Sequence, residues 1–299
     1  MSQAAEKLWT IGALLQWTSN FFTRNNIDEP RLSAELLLAH ALGCNRMALY
    51  TRYEHVPTTE QTAAFRELVK RRRENTPVAY LIGRTSFFSF DLAVSPAVLI
   101  PRPDTETLVE QVIRIVRQIP GWETPNILDL GTGSGCIAIA LAKSLPGAQL
   151  VASDVSPEAL TMARANADSL AVADRIRFIQ GDLFAPLVQP PTPGAFHVIA
   201  ANPPYIATGQ LRELMPQVRD HEPTLALDGG PDGLDFYRRI GDEAAGFLIP
   251  GGLLIVETAF NQTEQVRQLF QTNTQLGDLR IVTDAAGHPR CVLARKAGG

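Results

Sequence analysis

The stretch Asn126-Ile-Leu-Asp-Leu-Gly-Thr-Gly-Ser-Gly135 places three glycines between a short apolar segment and the helix-forming segment Cys136–Ser144. The apolar residues predict a buried strand, and the glycines predict a turn, because glycine accepts positive φ and lets a backbone approach a ligand closely. The glycines occupy positions 131, 133 and 135, so the dinucleotide pattern G-x-G-x-x-G fails at Cys136. No Gly-Lys-Ser/Thr follows, which excludes a phosphate-binding P-loop. The stretch therefore predicts a strand, a ligand-binding turn and a helix. The ligand of this turn is not expected to be bound through a pyrophosphate.

Downstream of this turn, apolar strand segments alternate with helical segments. The predicted strands are Ile127–Leu130, Gln149–Ser153, Ile176–Gln180, His197–Ala200 and Leu253–Glu257, and short apolar stretches near Ile281 and Val292 predict a terminal antiparallel hairpin. This rhythm is typical of an α/β fold with a mostly parallel sheet that is covered by helices on both faces.

The front of the chain has a different character, because its apolar residues recur at helical spacing. Asp28 is expected to cap a helix with Pro30 in its first turn, and Thr58 with Gln61 resembles a capping box. Alternation in Thr85–Phe90, followed by short apolar Leu92–Val94, predicts a two-stranded linker. We predict three parts: a helical bundle over residues 1–82, a β-hairpin linker over 83–103 and a catalytic domain over 104–299. The proline-rich segment 189–194 is predicted to be a loop.

Composition and charge narrow the class of protein. The 299 residues carry a net charge of −4, so no global positive field favours nucleic acid. Residues 1–100 hold 11 Lys/Arg and 9 Asp/Glu, whereas residues 101–299 hold 16 and 22. The three cysteines form no CxxC pair, and no uncharged apolar run reaches the ~18 residues of a membrane span. We expect a cytoplasmic protein without a metal site or a membrane segment.

Polar residues follow two further strands. Asp154 comes directly after the second predicted strand, where a carboxylate can accept hydrogen bonds from both hydroxyls of a ribose. Asp182 follows the third strand and is expected to meet an adenine amino group, with Leu183 against the ring. The glycine turn itself resembles the G-x-G-x-G loop of S-adenosylmethionine (SAM) methyltransferases. Open α/β sheets bind ligands at these strand ends, which favours a SAM site over a plain helix cap.

Asn202-Pro203-Pro204-Tyr205 follows the fourth predicted strand. Two consecutive prolines have fixed φ and no N–H, so their carbonyls are held rigidly. The amide oxygen of Asn202 and the carbonyl of Pro203 form a pair of acceptors for an incoming –NH2 group, and the ring of Tyr205 can lie against a planar substrate. The motif holds no general base, which fits a methyl transfer in which the proton leaves after alkylation. A rigid turn without chemistry is the alternative for this motif in isolation.

The chain resembles the HemK-type protein-(glutamine-N5) methyltransferases. Beyond the two motifs, the resemblance rests on Thr76–Gly83, Leu99–Glu106 and Glu222–Gly230. It implies an N-terminal helical bundle, a hairpin linker and a class I SAM-dependent methyltransferase domain with a seven-stranded sheet. It also implies that the substrate is the glutamine of the Gly-Gly-Gln loop in class I peptide chain release factors, methylated on its side-chain nitrogen (N5).

The resemblance also assigns roles to residues. The implied cofactor residues are Gly131, Thr132, Gly133, Ser134, Gly135, Asp154, Asp182, Leu183 and Asn202. The implied substrate residues are Asn202, Pro203, Pro204 and Tyr205, and of these Asn202, Pro203 and Tyr205 are the expected catalytic residues.

Two other functions fit parts of the sequence. An adenine-N6 DNA or RNA methyltransferase would use the same Asn-Pro-Pro-Tyr geometry, but such enzymes extract a base and hold a backbone, commonly through a basic region. Lys70–Arg73 is the densest basic run, for which a solvated helix face is the favoured interpretation, and the catalytic half is acidic. We therefore expect no direct nucleic-acid binding. A SAM-binding partner module without turnover is the third possibility, which the intact Asn202 motif disfavours.

Overall fold

The structure is a computed structural model that describes residues 8–187 and 195–298. The chain forms two compact units, the first from residues 1–83 with 215–221 and the second from residues 84–214 with 222–299. The three-part division drawn from the sequence stays a prediction, and the proline-rich segment 189–194 lies outside the described residues.

The first unit is helical. It contains α1 (Ile11–Arg24), α2 (Pro30–Leu42), α3 (Arg46–Thr51), α4 (Thr59–Arg73) and α5 (Val78–Ile82). The capping box of Thr58 and Gln61 at the start of α4 is confirmed. The predicted cap by Asp28 is wrong: Glu29, at φ 45°, is the N-cap of α2 and makes no side-chain cap hydrogen bond. The left-handed Glu29 turns the chain into the helix, and the Asp28 carboxylate accepts the Glu29 N–H at 3.0 Å.

The second unit opens with the hairpin β1 (Arg84–Phe87) and β2 (Phe90–Ala93). Its turn lies at residues 88 and 89, earlier than the break at Asp91 suggested by the sequence, because Phe88 adopts φ 57°. The next elements are α6 (Asp104–Gln118), β3 (Asn126–Leu130), α7 (Cys136–Ser144), β4 (Gln149–Asp154), α8 (Pro157–Ser169), β5 (Ile176–Gln180) and β6 (Phe196–Ala201). After α9 (Pro216–Arg219), they are α10 (Asp235–Phe247), β7 (Leu248–Glu257), α11 (Thr263–Gln271), β8 (Leu276–Thr283) and β9 (Pro289–Lys296).

Seven strands form one sheet in the order β5-β4-β3-β6-β7-β9-β8. The first five pair in parallel, and β9 pairs antiparallel with both β7 and β8. The predicted α/β fold is therefore confirmed. Ile127 packs with α6 and α7 on one face, whereas its neighbour Leu128 packs with α10 and α11 on the other. The strand order reverses between β3 and β6, and in open sheets the crevice at such a point is where ligands bind.

The short helix α9 belongs to the helical unit, which the sequence analysis did not predict. Arg72 of α4 is buried and donates a hydrogen bond to Gln217 Oε1 at 3.0 Å, and His221 Nε2 lies 3.1 Å from the Glu74 carbonyl oxygen. Arg72 therefore does not lie on a solvated face, in contrast to the favoured interpretation of the run Lys70–Arg73.

Candidate active site

A cleft opens at the carboxyl ends of β3, β4 and β6, entirely within the second unit. Its walls contain the glycine loop, the ends of three strands and the residues after β6. The sequence-predicted residues that line it are Gly131, Thr132, Gly133, Ser134, Asp154, Asp182, Leu183, Asn202, Pro203 and Pro204. The fold thus brings the two motifs, about 70 residues apart along the chain, to one cavity.

The glycine loop has the conformation that its residues predict. Gly131, Gly133 and Gly135 have φ of 69°, 56° and 85°, values that other residues adopt only under strain. Nothing lies within 4 Å of where a Cβ would be at Gly131 or Gly133, so their surfaces stay open. At Gly135 a Cβ would come within 3.2 Å of Ala163 Cβ on α8, which explains why this position needs the smallest residue at the start of α7.

Asp154 ends β4 and is held by the loop. Its Oδ2 accepts the Gly133 N–H at 2.8 Å, and its Oδ1 accepts the Ser156 N–H at 2.9 Å. Burial raises the pKa of Asp154, and the backbone N–H groups oppose this shift. A carboxylate oxygen has two acceptor sites, so each oxygen keeps one for a ligand hydroxyl. The geometry is therefore suited to binding the two hydroxyls of a ribose.

Asp182 and Leu183 follow β5. Leu183 is buried at φ 45° and lines the cleft, while the Asp182 carboxylate accepts a hydrogen bond from Arg239 of α10 at 2.7 Å. The ion pair is open to solvent, with side-chain exposures of 42% for Arg239 and 52% for Asp182. Asp182 thus lies at the cleft in an ion pair with Arg239, and the sequence did not predict this pairing.

Asp129, inside the quoted stretch, was not singled out from the sequence. It is fully buried beneath the loop, and its Oδ2 accepts hydrogen bonds from the Thr132 hydroxyl at 2.6 Å and the Ala138 N–H at 3.2 Å. Burial raises the pKa of Asp129 to about 7. Among the described residues, Asp129 Oδ1, Ser134 Oγ and Ser153 Oγ are buried without a hydrogen-bond partner. A polar ligand group at the loop would supply what these atoms lack.

The Asn202-Pro203 segment presents two acceptors. Asn202 Nδ2 donates to Thr105 Oγ1 at 3.2 Å, and Asn202 lines the cleft. Among the described residues, no donor reaches Asn202 Oδ1 or the Pro203 carbonyl. Asn202 and Pro203 both line the cleft, and the role of their two oxygens as an acceptor pair stays a prediction.

Tyr205 occupies a different position from the one expected. It is absent from the residues that line the cleft, and its ring packs against the core cluster between the sheet and α10. Burial raises the pKa of Tyr205 to about 12, which keeps its hydroxyl protonated. Its carbonyl accepts a hydrogen bond from Gln262 Nε2 at 3.1 Å. In this structure the ring supports the turn from behind, and direct contact with a planar substrate stays a prediction.

Glu257, at the end of β7, is a second buried carboxyl that the sequence analysis did not place in the site. Its residue is 3% exposed, and burial raises its pKa to about 7. The neighbouring side chains of Thr105 and Asn202 lower the pKa and partly oppose that effect. The sequence shows an acidic residue, Glu257, at the end of the predicted strand Leu253–Glu257, but no sequence pattern links Glu257 to Asn202.

The segment Glu222–Gly230 is hydrogen-bonded to the chain just after Asn202–Tyr205. Ile206 N–H donates to the Leu227 carbonyl at 3.0 Å, and Gly229 N–H donates to the Ile206 carbonyl at 2.8 Å. At the other end of the segment, the buried Glu222 carboxylate accepts a hydrogen bond from Arg102 at 2.5 Å. Arg102 lines the cleft, and its charge is compensated by Glu222.

Residues 8–187 and 195–298 hold neither a candidate metal site nor a candidate membrane span. In that part of the chain no group of three or more His, Cys, Asp or Glu side chains could hold a metal ion. Within the same residues, no helix is long and apolar enough to cross a membrane.

The sheet order, the cleft and the glycine loop define the fold as that of the class I SAM-dependent methyltransferases. Among solved structures, the hMettl16 catalytic domain is similar at a TM-score of 0.52 and 16% identity, over 68% of this chain and 74% of that chain. Two domain families match the sequence: the PrmC N-terminal domain over residues 13–83 and the methyltransferase small domain over residues 108–218.

Curated relatives match almost the whole chain. A release factor glutamine methyltransferase from Rhodopirellula baltica is 43% identical over 97% of this chain and 97% of its own length. Another from Geobacter sulfurreducens is 42% identical over 97% of this chain and 98% of its own length. The chain belongs to the family of release factor glutamine methyltransferases.

Proposed function

We propose that this protein transfers a methyl group from SAM to the side-chain nitrogen, N5, of the glutamine in the Gly-Gly-Gln loop of class I peptide chain release factors. The observation that carries the proposal is the pair of unpartnered acceptors, Asn202 Oδ1 and the Pro203 carbonyl, in the same cleft as the glycine loop and Asp154. The names of the relatives support the choice of a release factor glutamine as substrate.

The residues of the cleft fit SAM. Asp154 offers free acceptor sites for ribose hydroxyls, and the open Gly131 and Gly133 leave room for a ligand against the backbone. Asp154 and Asp182 place acidic groups at this end of the cleft, which suits a cationic ligand. Leu183 provides an apolar wall for the adenine ring, as expected from the sequence. When bound, SAM supplies a methyl group on a positively charged sulfur, which reacts with a nucleophile in line.

The turn after β6 has to activate a weak nucleophile. An amide nitrogen reacts poorly because its lone pair is delocalised into the carbonyl. Asn202 Oδ1 and the Pro203 carbonyl each accept one N–H of the substrate amide, hold the nitrogen in position and increase its electron density. Positioning and electrostatics of this kind account for most of the rate enhancement in many enzymes. The fixed φ of Pro203 and Pro204 restricts the backbone that carries the Pro203 carbonyl, and the Asn202 amide is held by its hydrogen bond to Thr105 Oγ1.

The test is methyl transfer from labelled SAM to three acceptors: a class I release factor, its Gln→Ala variant in the Gly-Gly-Gln loop, and a duplex DNA containing adenine. We expect label on the intact release factor, located by mass spectrometry on the loop glutamine, and none on the variant. Label that survives the Gln→Ala change would contradict the substrate assignment. Label on DNA alone would favour the adenine-N6 alternative.

A further inference from the structure

Resting on the proposed function, we propose that Arg102 and Glu222 are positioning residues. Their ion pair closes a collar of three chain segments around the turn after β6, and the substrate glutamine side chain enters the cleft through this collar. The collar is defined as residues 97–105, 202–206 and 222–229. The two residues lie 120 positions apart in the chain, in the motifs Leu99–Glu106 and Glu222–Gly230, to which the proposed function gives no role.

Recorded hydrogen bonds join the three segments of the collar into a ring. The first segment meets the turn where Asn202 Nδ2 donates to Thr105 Oγ1 at 3.2 Å. The turn meets the third segment where the Ile206 N–H donates to the Leu227 carbonyl at 3.0 Å. The ion pair of the two positioning residues connects the third segment back to the first. It therefore closes the ring.

Glu222 binds the first segment with both of its oxygens. Oε1 accepts from the Arg102 guanidinium at 2.5 Å, and Oε2 accepts the Ile100 N–H at 3.4 Å. The Glu222 side chain is 2% exposed and is not among the residues that line the cleft, whereas the Arg102 side chain is 34% exposed and lines it. Because charge-assisted hydrogen bonds are the stronger ones, Glu222 fixes the first segment from behind the cleft wall.

The inner surface of the collar suits an uncharged side chain. Among the described residues that line the cleft, Arg102 is the one cation, and Glu222 compensates its charge. The first and third segments otherwise contribute mainly apolar residues to the lining, including Val98, Leu99, Pro101, Pro223, Leu225 and Ala226. A charged side chain would lose its hydration among these residues, and a neutral carboxamide loses less.

The collar acts on the reaction and not on the cofactor. It orients a single side chain of a protein substrate, so loosening it should misplace the amide relative to the methyl group and lower kcat. The residues proposed to hold SAM, Gly131–Gly135 with Asp154, lie outside the collar. SAM binding should therefore be independent of the ion pair.

The test compares Glu222→Ala, which removes both bonds, with Glu222→Gln, which keeps the shape and an acceptor oxygen. We expect Glu222→Ala to lower kcat for release factor methylation by about tenfold, with KM for the release factor and calorimetric SAM affinity unchanged. Glu222→Gln should restore most of the rate. The number of SAM sites in the same titration reports the folded fraction of each variant. Arg267→Ala is the matched control, because Arg267 pairs with Glu264 on α11 and does not line the cleft.

A double-mutant comparison shows whether the two residues act as a pair. If they do, Arg102→Ala should cause little further loss of kcat in the Glu222→Ala background. Additive losses, a Glu222→Ala enzyme as active as the wild type, or a parallel loss of SAM affinity would overturn the proposal.

Should Glu222→Ala fail to fold, Arg102→Ala is made in the Glu222→Gln background, which removes the ion pair without leaving a buried charge. The same fall in kcat is expected relative to Glu222→Gln alone, and an unchanged kcat would overturn the proposal. A wild-type enzyme that binds SAM but does not label the release factor would instead refute the proposed function.

Discussion

The two halves of the cleft are built by different means. The loop half, defined as Gly131–Gly135 with Asp154, holds its polar groups mainly through backbone N–H groups close in sequence. The turn half, defined as Asn202–Pro204 with Thr105 and Glu257, holds the Asn202 amide through the Thr105 side chain of α6. The comparison indicates that the loop half is formed by its own local sequence, whereas the turn half depends on the assembled fold.

Each half also contains a buried carboxyl group with a pKa of about 7, Asp129 in the first case and Glu257 in the second. Asp129 is partly compensated by the Ala138 N–H and the Thr132 hydroxyl on one oxygen. Glu257 Oε2 has no hydrogen-bond partner among the described residues. Asp129 therefore holds the loop through two hydrogen bonds, whereas Glu257 lies buried at the end of β7 with one carboxyl oxygen unpartnered among the described residues.

The largest effect is expected from Asn202→Ala. The variant loses one of the two acceptors for the substrate amide, so we expect kcat to fall by about a hundredfold or more. Because the residues proposed to hold the ribose and the adenine lie elsewhere in the cleft, the variant should still bind SAM. Steady-state methylation and calorimetric SAM titration provide the two measurements. Full activity in the variant would remove Asn202 from its assigned role.

The next effect concerns stability and its dependence on pH. The pKa of Glu257 is about 7 in the folded protein against an ordinary value of 4.5, so the folded form binds this proton more tightly than the unfolded chain. The contribution of Glu257 to stability is thus fully present below pH 4.5 and is lost as pH rises through about 7. Glu257→Gln cannot ionise, so its free energy of unfolding relative to wild type should rise across this window, by up to about 3 kcal/mol.

Denaturant unfolding of both proteins between about pH 5 and about pH 8 measures this difference directly. Asp129 titrates in the same range in both proteins, so its contribution cancels in the comparison. A difference in stability that does not change with pH would mean that Glu257 ionises normally in the folded protein.

The sequence predicted the loop half of the cleft more fully than the turn half, because the loop half depends on residues that are neighbours in the chain. Strand, turn and helix around Gly131–Gly135 follow from a short apolar run, glycines and a helical segment, all of which act on their immediate neighbours. The hydrogen bond from Asn202 to Thr105 joins residues that are 97 positions apart in the chain, so no local sequence pattern predicts it. Tyr205 was expected to line the cleft, but its ring packs against the core cluster between the sheet and α10. The Asn-Pro-Pro-Tyr motif alone does not reveal this packing.

A third expected effect is a loss of SAM affinity in Asp154→Ala. The carboxylate is held by two backbone N–H groups and is predicted to accept charge-assisted hydrogen bonds from the ribose, whose loss should cost about 1–3 kcal/mol. Calorimetry measures it, with Asp174→Ala as a matched control, because Asp174 is exposed and does not line the cleft. Unchanged affinity in Asp154→Ala would place the ribose elsewhere.

The smallest effect is expected from Asp182, although it was predicted from the sequence on the same grounds as Asp154. Its carboxylate is half exposed and already paired with Arg239, so any bond to an adenine amino group competes with that cation and with water. Asp182→Ala should weaken SAM binding by less than about 1 kcal/mol, and Arg239→Ala, which frees the carboxylate, should not weaken it at all. A larger loss in Asp182→Ala than in Asp154→Ala would reverse this ranking. It would mean that the adenine end, and not the ribose end, dominates binding in the loop half.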